Sequence, residues 1–134
     1  MNLSLLAPAT ALQPSTLNDV TRSAMQDLLR EGESQNTLAS YRAALRYWAA
    51  WYGLRYGGQI QLPVPVACVL QFVVDHAQRM TAKGLQSELP REIDEALVAG
   101  GYKGKIGPMA HTTLVHRISV MSKAHQMRAV PNPC

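Results

Sequence analysis

The stretch Ser34-Gln-Asn-Thr37-Leu-Ala-Ser40-Tyr41-Arg42-Ala-Ala-Leu45-Arg46-Tyr47-Trp48-Ala-Ala-Trp51-Tyr52-Gly-Leu-Arg-Tyr56-Gly57-Gly58 decides the fold class. Leu38, Tyr41, Leu45, Trp48 and Tyr52 recur in steps of three and four, the spacing of one face of an α-helix. Ser34 stands where a helix N-cap is wanted, and Gly57-Gly58 stands where a helix must stop. The spacing predicts a helix that begins after Ser34 and runs to Tyr56. At 100° per residue, Ala39, Ser40, Ala43 and Tyr47 point away from the core stripe, with Arg42 and Arg46 flanking that outer face.

The same arithmetic extends along the chain. Thr16 and Asp19 read as a capping box for a helix over Leu17–Arg30, with Val20, Ala24 and Leu28 on one face and Gly32 after its end. Pro63 and Pro65 bracket a rigid turn. The next helix places Val66, Val69, Leu70, Val73 and Ala77 on one side and Gln71, Asp75 and Gln78 on the other. Pro90 and the acidic run Glu92, Asp94, Glu95 open a short helix that Gly100-Gly101 closes. The last helix runs from about His111 to Met127, before Pro131-Asn132-Pro133. Its core stripe is Leu114, Ile118, Met121 and His125; Thr112, His116, Ser119 and Lys123 form a polar strip opposite. No run shows the period-two alternation of a strand. The expectation is an all-α bundle of four to five helices over residues 15–130, after a flexible terminus at 1–14.

Composition narrows function. The 134 residues are 47% hydrophobic and 16% charged, enough for a packed core. Cys68 and Cys134 are too few for a disulfide scaffold or a four-thiolate metal site, and they fit a reducing, cytoplasmic compartment. No apolar run reaches membrane-spanning length, and Leu3 to Leu12 lacks the basic leader of a signal peptide. The net charge of +4 is unevenly spread: residues 35–134 hold eleven basic groups against five acidic ones, and Glu95 is the last carboxylate side chain. A carboxylate-free basic stretch is the footprint of a phosphate-bearing partner, or else a solvated helix surface.

Catalytic motifs are missing. There is no nucleophile elbow, dinucleotide fingerprint or P-loop, and His111 and His116 are spaced too far apart to share a helix face as metal ligands. His125-x-x-Arg128 falls on the apolar stripe and reads as a core histidine. No metal, cofactor or catalytic residue is expected. The basic loop Tyr102-Lys103-Gly104-Lys105-Ile106-Gly107-Pro108 reads as a flexible connector or as a contact to a sugar-phosphate backbone. Small residues at Ala39, Ser40 and Ala43, with Arg42 and Arg46 beside them, and the strip Thr112–Lys123 are faces that can enter a major groove.

The string Ser34-Gln-Asn-Thr37-Leu-Ala-Ser-Tyr41-Arg42 resembles the S-x-N-T-x-x-x-Y opening of tyrosine recombinases, the phage integrase family, and Trp48-Ala-Ala-Trp51 is similar to the aromatic pair that follows it. Leu62-Pro63, Val69 to Ala77, Thr112 to Ser119, Ala124-His125 and Pro131-Asn132-Pro133 resemble the later helices and the exit. The resemblance spans residues 34–134. It implies the N-terminal, SAM-like core-binding domain of a site-specific recombinase, which clamps duplex DNA at the recombination site. It points to Thr37, Ser40, Thr112 and His116 near bases, and to Arg42, Arg46, Arg117 and Lys123 near phosphates. Thr37 and Arg117 sit nearer the core edges, and Lys103 and Lys105 join from the basic loop. The family's arginine, lysine, H-x-x-R motif and tyrosine nucleophile belong to a second domain that would follow a linker beginning at 131–134. The resemblance therefore implies a fragment without catalytic residues, from a parent that breaks and rejoins DNA. The implied partners are DNA and other protomers, and the implied location is the nucleoid. A rival reading is a helical interaction module without DNA binding, docking through Met25, Leu28 and Leu29 of the acidic first helix.

Overall fold

The computed structural model describes residues 14–134, with side chains from residue 22 onward. Five helices are present in that range: α1 (Pro14–Arg30), α2 (Gln35–Tyr56), α3 (Val66–His76), α4 (Arg91–Ala99) and α5 (His111–Arg128). An antiparallel hairpin, β1 (Arg79–Thr81) and β2 (Gly84–Gln86), lies between α3 and α4. The mostly helical expectation holds. The hairpin is a departure from it, because three-residue strands are too short to show alternation. Gly84, at φ 101°, supplies the left-handed residue of its turn, and Thr81 Oγ1 accepts from the Lys83 amide and donates to Gly84 O.

The ends of α2 are fixed by the residues that predicted them. Ser34 is the N-cap, its Oγ accepting from the Thr37 amide at 3.2 Å. Gly57 adopts φ 84° and donates its amide to Gly53 O at 2.7 Å. The first helix begins at Pro14 instead of near Thr16, so Thr16 and Asp19 lie inside it, and the expected capping box is not at the helix end. The expected flexible terminus falls, through residue 13, outside the described residues.

α2 is the centre of the molecule. Ala44, Leu45, Tyr47, Trp48, Ala49, Ala50 and Trp51 are all buried. Seven of the eight positions from Ala44 to Trp51 are buried and only Arg46 among them is exposed, so Tyr47, expected to point away from the core, is 0% exposed. A single-stripe reading fails for a helix packed by neighbours on several sides. α1 lies against α2, with Met25 and Leu28 packed on Leu38. These two side chains are therefore core, and of the three residues expected to dock a neighbour only Leu29 is exposed.

α3 packs through rings. Phe72 stacks on Trp48 with centroids 3.7 Å apart and meets Trp51 edge-on at 5.0 Å. This fixes a phase different from the expected one. Cys68, Val69, Phe72, Asp75 and His76 face inward, while Val66, Leu70, Val73 and Val74 face solvent. Asp75 is buried because it has work there: its carboxylate accepts from Trp51 Nε1 at 2.9 Å, Arg55 Nη2 at 2.9 Å and Gln71 Nε2 at 2.8 Å. Such charge-assisted bonds offset the cost of taking a carboxylate out of water.

Two buried histidines are likewise fully partnered. His125 Nδ1 donates to Met121 O at 2.7 Å and Nε2 accepts from the Val64 amide at 3.0 Å, which ties α5 to the loop before α3. The expectation of a satisfied core histidine holds. His76 Nδ1 donates to Phe72 O at 2.7 Å, leaving Nε2 to accept from Tyr47 Oη at 2.6 Å. Burial pushes the Tyr47 phenol up, so it stays protonated and donates.

Burial also pushes His76 down to about 4. In the unfolded chain the same imidazole takes its proton near pH 6.5. Between these two values the unfolded state binds more protons than the folded state, so the neutral His76 contributes full stability above pH 6.5. That contribution declines as pH falls through the window and levels off below about 4, for a total near 3 kcal/mol. Urea unfolding at pH 7 and 4.5 should show the natural protein losing about 2 kcal/mol more than His76→Gln; equal losses would contradict the assignment.

Candidate nucleic-acid interface

The relation between α2 and α5 is set by one buried donor. Trp48 Nε1 gives its hydrogen bond to the Arg117 carbonyl at 2.9 Å. A buried indole N–H needs a partner, and this one is the backbone of the facing helix. The bond fixes the rotation of α5 against α2. It leaves Ser40 and Ala43 of α2 and Thr112 and His116 of α5 exposed side by side.

Ser40 Oγ and His116 Nε2 share a hydrogen bond at 3.1 Å across the two helices. The His116 ring meets Tyr41 edge-on at 6.4 Å. Below the pair lies a cleft of about 300 Å³ lined by Ser40, Ala43, Ala44, Thr112, Thr113, His116 and Arg117. Its floor is small and its rim offers hydroxyls, an imidazole and the first turn of α5. Ala110 caps that helix without a side-chain bond, and the partial positive end of the helix favours an anion. A second cleft, about 470 Å³, adjoins it and shares Thr113 and Arg117; Tyr102, Lys105, Pro108 and Met109 line its far side. Thr113 and Tyr102 were not singled out in the sequence. Thr113 follows a predicted contact directly, and Tyr102 opens the basic loop, so both lay beside a signal already read.

The other expected contacts divide by what already holds them. Arg42 and Arg46 are exposed on α2, and the Arg46 guanidinium lies 5.5 Å from the Tyr102 ring centroid. Lys105 is exposed on the loop. Lys123 is half-buried and lies 3.7 Å from Glu31 in the turn after α1, a distance at which a surface pair exchanges partners readily. Thr37 is half-buried, its Oγ1 accepting from Ser34 Oγ at 3.0 Å, so it serves the α2 cap and does not line the cleft.

Two further cations are partly buried. The Arg117 guanidinium lies 4.0 Å above the Tyr47 ring, and burial lowers its pKa from the usual arginine range. It packs at the core edge on the ring face beneath it, keeps its charge, and lines both clefts. Lys103 departs from its expected role. Its ammonium pairs with Asp94 of α4 and donates to Gly107 O, and both side chains are 9% exposed. The other Asp94 oxygen accepts from the Gly107 amide at 3.0 Å, while the Tyr102 amide donates to Leu97 O at 2.9 Å. The loop after α4 is thus folded around a buried ion pair. It is neither a loose connector nor, at Lys103, a phosphate contact.

Among the described residues no group of three His, Cys, Asp or Glu side chains converges as a metal site, and no helix is long and apolar enough to cross a membrane. Removing Lys103 strands Asp94 as a buried unpaired charge. Lys103→Met should therefore lower unfolding free energy by about 3 kcal/mol, whereas Lys105→Met should stay within about 0.5 kcal/mol of the natural protein. Thermal melts of the two variants check this, and equal melting temperatures would contradict it. The chain matches no protein-family profile, no curated protein and no solved structure.

Proposed function

We propose that this chain is a duplex-DNA-binding domain of the SAM-like core-binding type seen in tyrosine recombinases, with the cleft between α2 and α5 laid against a major groove. The observation that carries the reading is the bridge from Ser40 to His116. Two helices present short polar side chains at one place, on a floor of alanine that lets a base edge approach closely. Arg42, Arg46 and Lys105 stand exposed around it, and Lys123 is held by one surface carboxylate alone. These four cations suit phosphates on the groove walls, with Ser40, Thr112 and His116 left for bases.

The domain's work is to position and orient. Cutting and rejoining DNA would fall to the arginine, histidine and tyrosine set of a recombinase catalytic domain. As a placement domain, the chain would bind modestly and with strong dependence on salt. Four neutralised phosphates give a slope of about −3.6 for log K against log salt concentration. Fluorescence anisotropy with a labelled duplex at several salt concentrations measures it. Arg46→Glu should weaken binding to every sequence and flatten the slope by about 1. His116→Ala should change preference among sequences more than the slope. A flat salt response in the natural protein would overturn the reading.

A further inference from the structure

Two acid–base contacts join the end of α1 to α5, and they differ in how firmly each holds its cation. The Asp27 side chain is buried; Arg30 pairs with its Oδ1, and Arg128 Nε lies 3.0 Å from its Oδ2. Drawing Arg128 away would strip a buried carboxylate of a partner, so that contact is fixed. Glu31 is 51% exposed and Lys123 33% exposed, with 3.7 Å between their charged atoms. Water reaches both groups, so this pair opens at little cost. At this end of α5 one cation is therefore tied to the bundle, and the other is able to change partners.

The backbone holds Glu31 where it stands. Gly32, at φ 76°, ends α1 in a Schellman turn: its amide donates to Leu29 O at 3.0 Å and the Glu33 amide to Leu28 O at 3.3 Å. Glu31 is thus a carboxylate at a helix C-terminus, facing the negative end of the helix dipole, a placement unfavourable to α1 itself. The partner it has there is Lys123. Of the four cations assigned above to phosphates, Lys123 alone has a carboxylate within ion-pair distance; among the described residues Arg42, Arg46 and Lys105 hold no ion pair. Carboxylate and phosphate oxygens accept from the same ammonium and carry the same sign, so a phosphate that takes Lys123 must both displace Glu31 and stay close to it.

We propose that Glu31 is a built-in competitor for Lys123: it occupies that ammonium in the free protein and lowers the affinity of the α2–α5 face for DNA. The inference rests on the DNA-binding reading above, and Glu31 acts in it as a positioning residue, through Lys123. Anisotropy titrations of the full chain with a labelled duplex test it. Glu31→Gln should tighten binding about threefold at low salt, and the gain should shrink as salt screens the repulsion. In a Lys123→Met background the same substitution should give no gain, because the group competed for is gone. Glu33→Gln removes an equal charge two residues on, where no ion pair is held among the described residues, and should leave affinity nearly unchanged. No gain in Glu31→Gln, the same gain in the Lys123→Met background, or an equal gain in Glu33→Gln overturns the competition and leaves DNA binding in place. A natural chain that binds no duplex at any salt concentration overturns the DNA reading itself, and this proposal with it.

Discussion

Three buried aromatic side chains of α2 carry polar atoms that must be satisfied, and each reaches a different point on a neighbouring helix. Trp48 Nε1 donates to the Arg117 carbonyl of α5, Trp51 Nε1 to the Asp75 carboxylate of α3, and Tyr47 Oη to His76 of α3. The rings supply burial and the donors supply direction. Rotating α2 by one residue would orphan all three donors at once, at about 1–3 kcal/mol each. The phase of the central helix is fixed by these bonds more firmly than by its hydrophobic stripe. Every exposed feature follows from that phase, including the outward placement of Ser40 and Ala43.

Helix limits were the most legible part of the sequence. Ser34, Gly57, Pro90 and Gly100 mark boundaries because capping and backbone freedom act over a few residues. The stripe of α5 was legible too, since that helix has one buried side and His125 lies on it. Less legible was whatever depends on a distant partner. Tyr47 reads as an outer residue until His76 and Arg117 are in place on either side. Asp75 reads as a surface carboxylate until Trp51, Arg55 and Gln71 close on it, and moving it inward turns the valines of α3 out. Lys103 reads as a phosphate ligand until Asp94, nine residues earlier, takes it up. In each case a polar contact between elements overrides local periodicity.

The candidate interface was half legible for the same reason. The polar strips of α2 and α5 follow from helical spacing alone, but their meeting at Ser40 and His116 depends on the Trp48 bond that sets the rotation between helices. The basic loop was found by composition and misread in detail. Its fold around Lys103 and Asp94 leaves Lys105 outward and carries Tyr102 to Arg46, which extends the cleft beyond the two helices. The outcome is a division of the surface. One side gathers cations, hydroxyls and an imidazole over small residues. The side made by α3 is uncharged and apolar.

The central claim is that the joint face of α2 and α5 meets DNA. Nuclear magnetic resonance spectra of the isotope-labelled chain, recorded while a duplex is added, test it residue by residue. The account predicts that amide signals of Ser40, Ala43, Thr112, Thr113 and His116 move together, while those of Val66, Leu70 and Val74 on α3 stay in place. Shifts confined to α3, or none at any DNA concentration, would contradict it.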